Sequence, residues 1–186
     1  MSDGKQQEVE QPFIVNTVVA VAIIIGGFYI FSGIPGDDRI KLIDDVFTTV
    51  RYKVQVKQLL SQMSSSLARL NPEMQYYVLF FILKTFLFFE IAPLLLLAYL
   101  LAVVDTGIEK SDIFDVRVPS VTAFHTARKL VPVCLLFMPL LYIAMPLEFY
   151  LNGFRPETIL YSTGIANSVL VYRIYCVMRL NKPPVM

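Results

Sequence analysis

The sequence predicts an all-α membrane protein, with four transmembrane helices and an amphipathic helical arm between the first two. Three observations predict it. The hydrophobic residues, 56% of 186, gather in long blocks rather than recurring at core periodicity. Charged residues make up 17% of the chain, below the roughly one quarter usual in soluble domains. The longest polar stretch between blocks carries a helical apolar periodicity of its own.

The same composition narrows function. A net charge of +1 supplies no global field for nucleic acid, so no direct sequence-specific nucleic-acid binding is expected. No GxSxG, HExxH, P-loop or GxGxxG pattern occurs, and a single histidine, His125, cannot build a histidine-rich metal site. Cys134 and Cys176 lie in apolar blocks without CxxC spacing and read as two buried thiols. The expectation is a noncatalytic chain with no cofactor and no metal.

Taken in order, the first span is residues 13–31, FIVNTVVAVAIIIGGFYIF. Crossing ~30 Å of hydrocarbon needs about 20 helical residues, which this block supplies. Its acidic flank and long apolar core predict an uncleaved anchor rather than a signal peptide. The pair Gly26–Gly27 suits close helix approach, as do Thr163, Gly164, Ala166 and Ser168 in the last span.

The arm covers residues 37–70. Ile40, Ile43, Phe47, Val50 and Val54 share one helical face; Val56, Leu60, Met63, Leu67 and Leu70 share another, rotated by nearly half a turn. That change of face near Gln55 predicts a break, or one helix touching different partners along its length. Lipid and protein both suit such a surface.

Asn71-Pro72-Glu73 then starts a helix, with asparagine as cap and proline in the first turn. It is predicted to run to Val104, with its membrane span at 80–104, and is too long for the bilayer alone. The third span is 130–150. Pro132, Pro139 and Pro146 recur there every seven residues, predicting bent packing in which neighbours repair the freed carbonyls. The fourth span is 158–177, and the whole of 1–186 reads as one integral-membrane domain.

Four consecutive spans place both termini on one side with the 105–129 loop. Asp105, Arg128, Lys129 and Arg173 all fall near that side and are expected to form a structural polar layer. Lys84 and Glu148 occupy comparable levels on the arm side, where both can snorkel toward headgroups. Glu90 lies six residues from Lys84, so the two point about 120° apart on a helix and are not an i,i+4 pair. For Glu90 the sequence leaves three fates: protonation, a hydrogen bond to a hydroxyl such as Tyr142, Tyr161 or Ser162, or pairing with another subunit. A proton relay needs several acids or histidines along a path, so structural glue is the preferred role. Basic residues divide evenly between the two sides; the packing of Arg128, Lys129 and Arg179 against helix ends assigns the termini to the cytoplasm.

From Leu97 to Pro184, roughly half the chain, the sequence resembles a family of small multipass inner-membrane proteins of unknown function from bacterial conjugative plasmids and integrating conjugative elements. Its pattern is an apolar span ending in an Asp-Gly-like turn, a serine five residues before a histidine, a basic helix start and a proline-bearing span. Asp105, Gly107, Ser120, His125, Arg128, Pro139 and Pro146 fit those positions. Thr106 interrupts the Asp-Gly step, Lys110 stands where arginine is usual, and Pro119 replaces a common glutamate. The resemblance implies a noncatalytic inner-membrane subunit of a type IV secretion machine for conjugative DNA transfer. Its implied partners are other membrane subunits, with the coupling ATPase among them, and the lipid bilayer. The alternative is a small transporter or channel using Glu90 and Lys84.

Overall fold

The computed structural model describes residues 3–111, 120–151 and 154–181. Among them every regular element is helical. The order is α1 (Asp3–Ser32), α2 (Gly36–Thr49), α3 (Lys53–Leu67), α4 (Pro72–Ser111), α5 (Val121–Pro132), α6 (Met138–Ala144), α7 (Leu147–Tyr150) and α8 (Pro156–Leu180). A π-helical segment, Val133–Phe137, joins α5 to α6. Among the described residues three stretches are long and apolar enough to cross a membrane: Ile14–Ser32, Pro72–Ile108 and Val121–Ala144. They point to a multi-pass membrane protein. The 25 residues of α8 have the length for a crossing, but Ser162, Thr163, Asn167, Ser168 and Arg173 dilute its apolar character.

The described chain packs as two compact units, Met1–Leu87 with Pro139–Pro156, and Phe88–Met138 with Glu157–Met186. In the first, Phe31 sits with its ring centroid 5.6 Å from Tyr77 and 5.2 Å from Phe80. Here the backbones come close. A Cβ on Gly27 would lie 2.5 Å from the Ala144 carbonyl oxygen and 2.7 Å from the Tyr77 hydroxyl, whereas Gly26 faces open space. The Tyr77 hydroxyl donates to the Ile24 carbonyl at 2.9 Å, tying α4 to α1.

Of the two outcomes the change of face allows, the arm shows the break, a few residues before Gln55 at Val50–Tyr52 between α2 and α3. Leu42, Ile43, Val46, Val50 and Val56 are buried, while Ile40 and Val54 are 53% and 65% exposed. The buried stripe of α2 is therefore rotated from the predicted one. Arg39 closes the corner between α1 and α2. Its guanidinium donates to the carbonyls of Ser32 at 2.9 Å and Ile34 at 2.5 Å, and lies 3.6 Å from the Glu73 carboxylate in the first turn of α4. The Ser32 carbonyl is one that the end of α1 leaves without an intrahelical donor, and Ile34 lies in the linker just beyond it.

The second unit has a core of Ala98, Ala127, Cys134, Val171 and Ile174. Gly164 lets α8 approach α4, since a Cβ there would sit 3.1 Å from Ile91. Ser120 caps α5, accepting from the Ala123 amide at 3.2 Å, and its own amide donates to Asn181 at 2.9 Å.

Two predicted boundaries are corrected. The second long helix starts at Pro72 as expected, but it passes through Asp105, Thr106 and Gly107 to Ser111 without a turn. The Thr106 hydroxyl folds back onto the Ala102 carbonyl at 2.6 Å, so this buried polar group is satisfied within its own helix. The third long helix starts at Val121 and stops at Ala144 instead of covering 130–150. Pro146 has no amide hydrogen and disfavours helical geometry at Met145, so residues 147–150 form a separate turn. Of the two cysteines, Cys134 is buried and Cys176 only half-buried.

Candidate functional site

The break at Met145–Pro146 builds the most unusual site in the molecule. Lys84 projects from α4 in a run of phenylalanine, isoleucine and leucine, and is 0% exposed. Its ammonium donates to Oε1 of Glu148, carried on α7, in an ion pair whose side chains are 0% and 3% exposed. The ammonium also lies 3.8 Å from the ring centroid of Tyr142 and 5.5 Å from that of Phe80. On one uninterrupted helix Tyr142 and Glu148 would be about 120° and 9 Å apart. The proline break turns α7 so that both reach one nitrogen. This corrects the snorkelling expectation: Lys84 and Glu148 meet each other under cover.

The chemistry of such a cage is containment. A buried charge is tolerated when paired, and the aromatic faces add attraction for the cation. Oε1 of Glu148 is used by Lys84; Oε2 is buried and accepts no hydrogen bond from the described residues. Sequence reading placed the two residues at one depth, and only the α7 turn reveals that they pair.

The second unit holds the remaining predicted residues. Asp105, Arg128, Lys129 and Arg173 are all exposed on the fold. Asp105 accepts a hydrogen bond from the Tyr172 hydroxyl. Among the described residues no ion pair joins it to Arg128, Lys129 or Arg173. Glu90 is half-buried on α4 and is engaged by a neighbour.

One residue escaped the sequence reading. In the π-helical segment the Met138 amide bonds the Val133 carbonyl, five residues back. The next bond of that register would run from residue 139 to the Cys134 carbonyl, and Pro139 has no hydrogen to give. Asn167, buried on α8, donates to that carbonyl at 3.0 Å. The predicted repair of proline-freed carbonyls thus has a named agent. The sequence signal for it was weak: an asparagine among several polar residues of α8, beside a proline-bearing helix.

Among the described residues no group of three or more His, Cys, Asp or Glu side chains is placed to hold a metal ion. No family model, no curated protein and no solved structure matches the chain.

Proposed function

We propose that the chain is a noncatalytic subunit of a membrane-embedded assembly, within a conjugative DNA-transfer machine of the type IV secretion class. The observation that carries the noncatalytic part is the Lys84–Glu148 pair. Among the described residues the most deeply buried ionisable groups are spent on each other and on two aromatic rings, which is an arrangement for holding helices together. The likeness over Leu97–Pro184 to small conjugative inner-membrane proteins supports the machine, and supports the coupling ATPase as a neighbour. In this reading α8 is a fourth span, the termini lie in the cytoplasm and the arm faces the opposite side. Reporter fusions at Lys5, Gln55, Asp115 and Pro183 then read cytoplasm, periplasm, cytoplasm and cytoplasm.

The deciding experiment is affinity purification of the full chain from donor cells in mild detergent, with transfer frequency measured in parallel. Co-purification of other inner-membrane subunits and loss of transfer on deletion are expected; a chain that comes down alone, with transfer unchanged by its deletion, rejects the reading. The second reading, a small transporter or channel, is favoured by Glu90 and Lys84 lying in one apolar run of α4. Glu90→Gln separates the two, because an amide keeps a hydrogen bond but cannot carry a proton. Full assembly with abolished function in that variant would select the pathway.

A further inference from the structure

In the second unit α5 and α8 run antiparallel and are pinned together at two levels. The Ser120 amide donates to Oδ1 of Asn181 at 2.9 Å, and Nδ2 of Asn167 donates to the Cys134 carbonyl at 3.0 Å. This part of α8 therefore lies beside Val121–Ala144, a stretch long and apolar enough to cross a membrane, and shares its surroundings. Between the two helices is an open cleft of about 500 Å3, its walls including Thr122, Thr126, Leu130, Arg173, Ile174 and Val177. Counted from the Ser120–Asn181 bond, Arg173 stands level with Arg128 and Lys129, about 12 Å along α5. The 24 residues of Val121–Ala144 exceed the ~30 Å hydrocarbon by about one turn, so a long cationic side chain at this level reaches the headgroup boundary.

The charges at that level do not cancel. Among the described residues neither Arg173 nor Lys129 has an ion pair, and both are exposed. Against the three cations stands Asp105, held by the Tyr172 hydroxyl. Lys129 follows Thr126 by three residues and flanks the cleft, about 60° round α5; Arg128 lies on the opposite side of that helix. A cation beside hydrocarbon calls for an anion, and the mostly apolar lining calls for one that carries apolar chains. A phospholipid supplies both. The Arg173 fork suits a phosphate, the Thr126 hydroxyl can add a donor, and an acyl chain can run inward past Leu130. Basic clefts between membrane helices are places where lipid headgroups bind. A zwitterionic headgroup would bring an ammonium to a level already rich in cations, and a second copy of the chain would bring the same excess of cations. We infer that the α5–α8 cleft binds an anionic phospholipid, with its phosphate on Arg173 and Lys129. The inference needs only a chain embedded in a membrane, not the conjugative reading.

The test is native mass spectrometry of the purified full chain in neutral detergent, titrated with phosphatidylglycerol or phosphatidylcholine, with inorganic phosphate as competitor. One phosphatidylglycerol is expected to bind about tenfold more tightly than phosphatidylcholine, with millimolar phosphate unable to displace it. Arg173→Gln is expected to remove that preference with the melting temperature unchanged, because the side chain is exposed. Lys129→Gln and Thr126→Val should each weaken the first lipid several-fold, and they carry the test if Arg173→Gln fails to fold. Arg128→Gln removes the same charge at the same depth outside the cleft and should leave the first lipid in place. Equal losses from Arg128→Gln and Arg173→Gln would overturn the cleft in favour of diffuse surface attraction. Equal binding of phosphatidylcholine would overturn the anionic assignment, and displacement by phosphate would make the cleft a site for a free anion. Lipid-free dimers that dissociate in Arg173→Gln would give it to a second copy instead.

Discussion

In the first unit an ammonium and a carboxylate lie beneath aromatic and apolar side chains; in the second, Asp105, Arg128, Lys129 and Arg173 stay at the surface of the fold. The second unit buries polar groups of another kind. Asn167 and Thr106 are neutral, and each is bonded to a backbone carbonyl. The difference follows from the strength of desolvation. An ionised group enters an apolar interior only with a counter-charge, whereas a neutral amide or hydroxyl costs less to bury and is held by hydrogen bonds alone. A charged residue in an apolar block is thus no single signal. Its meaning depends on whether another element can bring the opposite charge to the same depth.

Breaking the pair in the first unit should have the largest effect. Lys84→Met strands the Glu148 carboxylate and is expected to destabilise the fold by about 3–5 kcal/mol, the scale for removing one partner of a buried pair. The double variant Lys84→Met with Glu148→Met should recover most of that loss, as read by thermal unfolding in detergent. A single variant no worse than the double would mean that the pair is not what stabilises this region.

Backbone proximity should rank next. Gly27→Ala drives a methyl group into the Ala144 carbonyl and the Tyr77 hydroxyl, for which overpacking of about 1–3 kcal/mol is expected. Gly26→Ala, facing open space, should match or slightly exceed the parent melting temperature. Equal losses at both positions would show that the close contact is not the source of the cost, because helix propensity favours alanine at each.

The neutral polar repair in the second unit should matter less. Asn167→Leu removes the donor to the Cys134 carbonyl and should lower stability by about 0.5–2 kcal/mol, the range for hydrogen bonds between membrane helices. Hydrogen exchange confined to residues around the π-helical segment would show where the loss is felt. The smallest effect is expected at the surface: Asp105→Asn keeps an acceptor for Tyr172 and should leave the unfolding temperature of the isolated chain unchanged. A clear loss there would show that the four charges act together after all.

Much of the fold was legible because its causes are local. Asn71-Pro72 starts α4 where predicted, since proline suits a first helical turn and the Asn71 carbonyl accepts from the Gln75 amide at 2.9 Å. The shift of apolar face in the arm marked the place of the break between α2 and α3 but left a continuous helix equally open. Gly26 and Gly27 were both marked for close helix approach, and only Gly27 makes it, because sequence does not say which side of α1 meets a neighbour. The capping of α1 by Arg39 was not legible, since nothing in the sequence says that α2 folds back onto those carbonyls.

By itself the sequence determined the helical architecture and its apolar stretches, because a backbone surrounded by hydrocarbon must satisfy its hydrogen bonds within each segment. It also determined where α4 starts and where the third long helix is interrupted, through asparagine and proline. Only the tertiary structure decided the fate of the charges. Lys84 and Glu148 are 64 residues apart, and they meet because Pro146 ends one helix and swings a single turn back toward α4. Depth along a helix can be counted from sequence, but direction around a neighbour depends on how two helices pack, and that decides whether a buried ion has a partner.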